Sequence, residues 1–158
     1  MHVAIVTVSD SVSQGVREDI SGPALRDRCR ELGWDVVAEA VLPDDPALIR
    51  ERLVSLADGG RAEIVLTTGG TGIGPRDSTP EATAEACQKL LPGIAELMRE
   101  YGRKKNARAA LSRGVAGVRG RVLIINLPGS PQGAMESLDA VADLLPHALD
   151  VLRGARHD

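Results

Sequence analysis

The chain is almost without aromatic side chains: one Trp, one Tyr and no Phe among 158 residues. A protein that binds single-stranded nucleic acid needs such rings as stacking platforms, so that class is excluded. Basic and acidic residues nearly balance, at 19 against 22, and the net charge of −3 leaves no cationic excess for a duplex binder. The two cysteines, Cys29 and Cys87, sit in stretches of helical pattern and match neither a metal spacing nor a redox pair. They read as small buried hydrophobes. His2, His147 and His157 are scattered, which argues against a histidine metal centre. No apolar run approaches the length of a membrane span, and His2–Val8 is too short for a signal sequence and is soon followed by Asp10. A cytoplasmic enzyme acting on small molecules, with no nucleic-acid or membrane partner, is the expectation.

What the chain does have is aliphatic residues in alternating units. With 43% hydrophobic residues and no repeat, linker or low-complexity segment, residues 1–158 read as one domain with a core of Val, Leu, Ile and Ala. His2–Val8 has the continuous apolar pattern of a central parallel strand covered on both faces. A polar loop over 10–21 leads to a helix over 23–32, with Gly33 placed to end it. Strand 34–42 and helix 46–57 follow, the helix with Asp45 as N-cap and Pro46 at its first position. Strand 63–68 precedes a glycine-rich loop, a helix over 80–91 and a shorter helix over 92–101. The apolar runs 111–118 and 121–127, parted by Arg119-Gly120, predict a hairpin and hence one antiparallel strand. Ser130 caps a last long helix that Pro146 must kink or split. The predicted fold is α/β: a three-layer α/β/α sandwich with a mostly parallel sheet and one antiparallel strand.

The densest signal is TTGGTGIGPRDSTPEAT at 67–83. Gly69, Gly70, Gly72 and Gly74 let backbone N–H groups approach a ligand closely, and Arg76 and Asp77 add charge to the same loop. Beyond it a helix begins, with Thr79 as N-cap before Pro80, or with Ser78 as cap and Glu81 closing a capping box. Either frame aims a helix N-terminus at the loop, the anatomy of a phosphate site. A P-loop is excluded because Pro75 and Arg76 follow Gly74 where Lys and Ser or Thr are required. A dinucleotide fingerprint started at Gly70 meets Pro75 where it needs Gly, and it would open the first βα unit rather than the third.

If the strands are parallel, Ser9-Asp10, Pro43-Asp44-Asp45, the 69–77 loop and Pro128-Gly129-Ser130 all lie on one rim. Asp44 and Asp77 then meet beside a glycine-lined anion cradle. Asp44, not Asp45, is assigned to metal or catalysis because Asp45 is occupied as a cap. Such a set suits transfer between phosphates, where catalysis is mostly positioning and charge neutralisation and Mg2+ is held by one or two carboxylates.

The 67–83 segment resembles the signature of the MogA/MoaB family of molybdenum cofactor biosynthesis. TVSDSVSQGVREDISGPAL at 7–25, LPDD at 42–45, ALSR at 110–113 and NLPGSP at 126–131 match in order, so the resemblance spans nearly the whole chain. It implies adenylyl transfer from Mg-ATP to molybdopterin by a homotrimer, with the product passed on for molybdate insertion. It places the family's two functional aspartates at Asp44 and Asp77, both also as metal ligands. Its binding residues fall at Ser9, Asp10, Gly69, Gly70, Thr71, Gly72, Ser112, Arg113, Gly129 and Ser130, with Ser112 and Arg113 at the pterin-phosphate end. Within the basic run Arg99, Arg103, Lys104, Lys105, Arg108 and Arg113, the other side chains read mainly as a solvated face. The chain departs from many relatives at Ser11 and at Gln132-Gly133, where a basic residue is common. Two other readings remain: a pterin-binding paralogue without transfer activity, and a dinucleotide pyrophosphatase of the competence-damage type. The latter's loop continues differently from GPRDSTPEAT, and retention of both aspartates favours catalysis.

Overall fold

The computed structural model describes residues 1–155, and His157 lies outside them. Six strands form one sheet in the order β2-β1-β3-β6-β5-β4, where β1 is His2–Val8, β2 Asp35–Leu42, β3 Ile64–Thr68, β4 Lys89–Leu90, β5 Ala116–Arg119 and β6 Val122–Leu127. β2, β1, β3 and β6 pair in parallel; β5 runs antiparallel to both β6 and β4. The single antiparallel strand is therefore β5, as the hairpin pattern implies.

Strand alternation divides the core into two layers. Val3, Ile5, Ile64, Leu66, Leu123 and Ile125 face one side, and Ala4, Val6, Val65, Val122 and Ile124 the other. The first face is covered by α2 (Ser21–Glu31), α5 (Pro92–Arg103), α6 (Pro131–Val141) and α7 (Leu145–Leu152). The second is covered by α3 (Pro46–Asp58) and α4 (Thr79–Ala86). The result is the expected three-layer sandwich. Ile5 and Leu66 are at most 1% exposed, so truncating either to Ala costs about 2–5 kcal/mol.

Local expectations hold where a cap decides. Asp45 Oδ1 accepts from the Ala47 and Leu48 amides at 2.9 and 3.2 Å, and Gly33 follows α2 at φ +79°. They fail where tertiary pairing decides. The helix expected over 80–91 stops at Ala86; Cys87 turns extended and β4 joins the sheet edge beside β5. That approach needs Gly117, whose Cβ would lie 2.6 Å from Cys87 Sγ and 2.7 Å from Lys89 O. The loop expected over 10–21 contains a helical turn, α1 (Asp10–Ser13), capped by Ser9. The run 111–118 begins in a 3₁₀ helix, Ala107–Leu111, so β5 starts only at Ala116. Pro146 does split the last helix, with 3₁₀ Ala142–Leu144 between α6 and α7. No helix among the described residues is long and apolar enough to cross a membrane.

Candidate active site

The carboxyl ends of β2, β1, β3 and β6 lie side by side and carry all four predicted loops. Close backbone approach holds them together. A Cβ on Gly69 would stand 2.1 Å from Val8 O, and one on Gly129 3.3 Å from Gly69 Cα. Gly69 and Gly70 have φ of +105° and +68°, values that β-carbons disfavour. Thr79 locks this turn: its Oγ1 donates to Gly69 O at 3.0 Å and its N–H to Gly70 O at 3.1 Å.

That contact decides between the two capping frames. α4 begins at Thr79, so Ser78 is the N-cap residue, yet its Oγ is buried without a partner. Glu81 turns to Arg113 instead of closing a capping box. The helix start is therefore fixed by Thr79 reaching back into the glycine loop. The amides of Gly70, Thr71 and Gly72 donate to none of the described residues, as an anion cradle requires.

Asp44 and Asp10 exchange backbone and side-chain bonds. The Asp10 amide donates to Asp44 Oδ2 and the Asp44 amide to Asp10 Oδ1, each at 2.9 Å. Arg76 grips both oxygens of Asp10, Nε at 3.0 Å and Nη2 at 3.1 Å, and holds that carboxyl below its usual range. Asp44 is shifted the opposite way: burial raises its carboxyl, and the nearby charges of Asp10 and Asp77 add to the rise. Asp77 Oδ2 accepts from the Gly74 amide at 2.9 Å.

Two cavities open on this rim. The first, about 610 Å³, is lined by Thr71, Gly72, Ser112 and Asn126, and by the cations Arg99, Lys105 and Arg108. The second, about 520 Å³, is lined by Ser9, Asp44 and Gly69 together with Thr7, Arg17 and Asp19. Gly70, Asp77, Gly129 and Ser130 line both and form the wall between them. Ser130 also caps α6, accepting from the Gly133 amide at 3.1 Å. The predicted residues converge here, apart from Asp10 and Arg113, which line neither cavity.

Among the described residues no group of three or more His, Cys, Asp or Glu is set to hold a metal. Asp44 and Asp77, facing the second cavity together, supply two carboxylates whose mutual repulsion a cation would relieve. A pair of that kind fits Mg2+, which keeps waters and takes substrate phosphates for its remaining positions.

Residues 4–147 match the family model described as a probable molybdopterin binding domain. The molybdopterin adenylyltransferase of Helicobacter pylori strain J99 is 41% identical over 161 residues, covering 98% of this chain and 89% of the relative. That of Escherichia coli K12 is 38% identical over 145 residues, covering 90% and 74%. The crystal structure of the molybdopterin biosynthesis enzyme MoaB from Thermus thermophilus superposes with a TM-score of 0.91 at 50% identity, covering 99% of both chains. This chain belongs to the MogA/MoaB family.

Three features of this MogA/MoaB chain lie beyond the predicted site residues. Asn126, 1% exposed, donates through Nδ2 to Thr67 and Thr83 Oγ1 at 3.0 and 2.8 Å and accepts from the Val115 amide at 3.1 Å. Its signals in sequence are one polar residue inside the apolar run VLIINL and its place at the head of the NLPGSP match. Arg99, read as part of a solvated face, donates to Gly114 O at 2.9 Å on the cavity wall. Gln132 binds Glu136 at 2.9 Å, so at the position where a basic residue is common the cations nearest this cavity are Arg99, Lys105 and Arg108.

Proposed function

We propose that this chain transfers AMP from Mg-ATP to the phosphate of molybdopterin. The observation that carries the reading is the pair of cavities meeting at one wall of Gly70, Asp77, Gly129 and Ser130. Two anionic substrates must lie side by side for a phosphate oxygen of one to attack the α-phosphorus of the other. The new P–O bond forms as the α–β bridging bond breaks, and pyrophosphate leaves with the electron pair. The pterin occupies the first cavity, which Lys105 and Arg108 line, with Ser112 at its phosphate end. The nucleotide occupies the second, beside Asp44 and Asp77.

Mg2+ held by those two carboxylates supplies charge neutralisation on the triphosphate. The rest is positioning. Backbone amides at Gly70–Gly72 and the α6 N-terminus at Ser130 meet phosphate oxygens, and Asp10 sets the orientation of Asp44. We further assign the active form to a homotrimer in the cytoplasm that hands the adenylylated pterin to a molybdate-inserting enzyme.

Incubation with molybdopterin, ATP and magnesium tests the reading. Mass detection should find adenylylated pterin, with one pyrophosphate released per product. Tight molybdopterin binding without pyrophosphate release would make the protein a pterin-binding module instead.

A further inference from the structure

Arg113 stands apart from both cavities, yet it is the side chain most heavily committed to the glycine loop. Its backbone amide donates to Thr71 O at 2.8 Å. Its guanidinium gives Nε to Gly72 O at 2.7 Å, Nη2 to Asp77 O at 3.0 Å and Nη1 to the Glu81 carboxylate. One residue thus ties down the start of the loop, its end and the first turn of α4, across 32 to 42 positions of sequence. We propose that Arg113 is a positioning residue, a brace that sets the shape of the 69–77 loop and the seat of Asp77, and not a contact for the pterin phosphate. The functional part of this inference rests on the adenylyl-transfer reading.

The argument is one of peptide geometry. In a trans peptide the C=O and the following N–H point in opposite directions. By drawing the Thr71 and Gly72 carbonyls to itself, Arg113 turns the amides of Gly72 and Ile73 away from itself. A loop with four glycines has few side chains to fix that orientation, and the guanidinium fork supplies what the loop lacks. Glu81 holds the fork in place from the other side. A Lys at this position keeps the charge but cannot serve three acceptors in fixed directions.

The test compares wild type, Arg113→Lys and Glu81→Gln by amide hydrogen exchange of the ligand-free protein, molybdopterin affinity and pyrophosphate release. The amides to follow are Gly74, Asp77 and Thr79, which donate within the loop. In Arg113→Lys their protection should fall about tenfold or more and kcat should fall by a similar factor, and any loss of molybdopterin affinity should follow the loss of protection, because Thr71 and Gly72 line the first cavity. Glu81→Gln keeps the guanidinium and should show a smaller loss of protection, with a correspondingly smaller effect on affinity. Unchanged protection in Arg113→Lys overturns the proposal, with or without a loss of affinity. Loss of affinity that does not track loss of protection across the two variants overturns it also. If wild type releases no pyrophosphate, the transfer reading fails, while the exchange data still decide whether Arg113 braces the loop.

Discussion

Adding one methyl group at Gly70 or at Gly72 should have opposite consequences, although the two glycines are two residues apart in the same motif. At Gly70, φ is +68°, and an L side chain there costs about 1–2 kcal/mol. The new Cβ would also stand 2.2 Å from Thr79 Oγ1, forcing that buried hydroxyl off Gly69 O. Leaving such a group unsatisfied adds about 1–3 kcal/mol. Gly70→Ala should therefore lose about 2–5 kcal/mol, and for a chain of this size lower Tm by about 5–15 °C. At Gly72 φ is not positive, and the nearest obstacle is Asp77 Oδ2 at 2.9 Å, the end of a side chain that can swing aside. Gly72→Ala should cost no more than about 0.5–1.5 kcal/mol, the worth of the bond from the Gly74 amide to Asp77. It should instead displace the Asp77 carboxylate and cut turnover about a hundredfold, the scale of a 1 Å misplacement. Calorimetric melting and pyrophosphate release measure the two effects separately. A Gly70→Ala protein melting within about 2 °C of wild type, or equal Tm losses in both variants, would refute the reasoning.

Asp44→Asn and Asp77→Asn should each reduce turnover by about tenfold or more with the fold intact, whereas Asp45→Asn should be nearly silent because Asn caps α3 equally well; equal losses at Asp44 and Asp45 would overturn the assignment. Burial, with Asp10 and Asp77 nearby, raises the Asp44 carboxyl, so its ionisation opposes folding as pH rises through its titration range. The stability of Asp44→Asn relative to wild type should therefore grow with pH across that range in chemical denaturation. In the wild-type pH–rate profile the acid limb should lie above the ordinary aspartate range and move to lower pH as magnesium is raised. Light scattering should give about three times the 16.6 kDa chain mass, and a monomer mass across micromolar concentrations would remove the trimer.

The parts of the fold that depend on short-range chemistry were legible in sequence. His2–Val8 reads as a doubly covered strand, and Asp45-Pro46 and Ser130-Pro131 mark helix starts that the structure reproduces. The rim loops follow once the strands are taken as parallel, which is why Asp44 and Asp77 fall together. Legibility ended where distant segments compete with local preference. ACQKLL after α4 has helical character, but the open edge of β5 takes Lys89–Leu90 as a strand and Gly117 makes room for it. The motif ALSR points to Arg113, but that its guanidinium faces the carbonyls of Gly72 and Asp77 depends on contacts far away in sequence. The apolar helix faces divide between two cores, one on each face of the sheet.

The wall shared by the two cavities has a thermodynamic consequence. Gly70, Asp77, Gly129 and Ser130 line both sides. Any coupling between occupancies of the two sides through these residues is a single free energy. If a ligand on the Asp44 side tightens its neighbour by some factor, the neighbour must tighten it by that same factor. The order in which ligands arrive changes the route taken through the ternary complex but not the depth of the state they reach together.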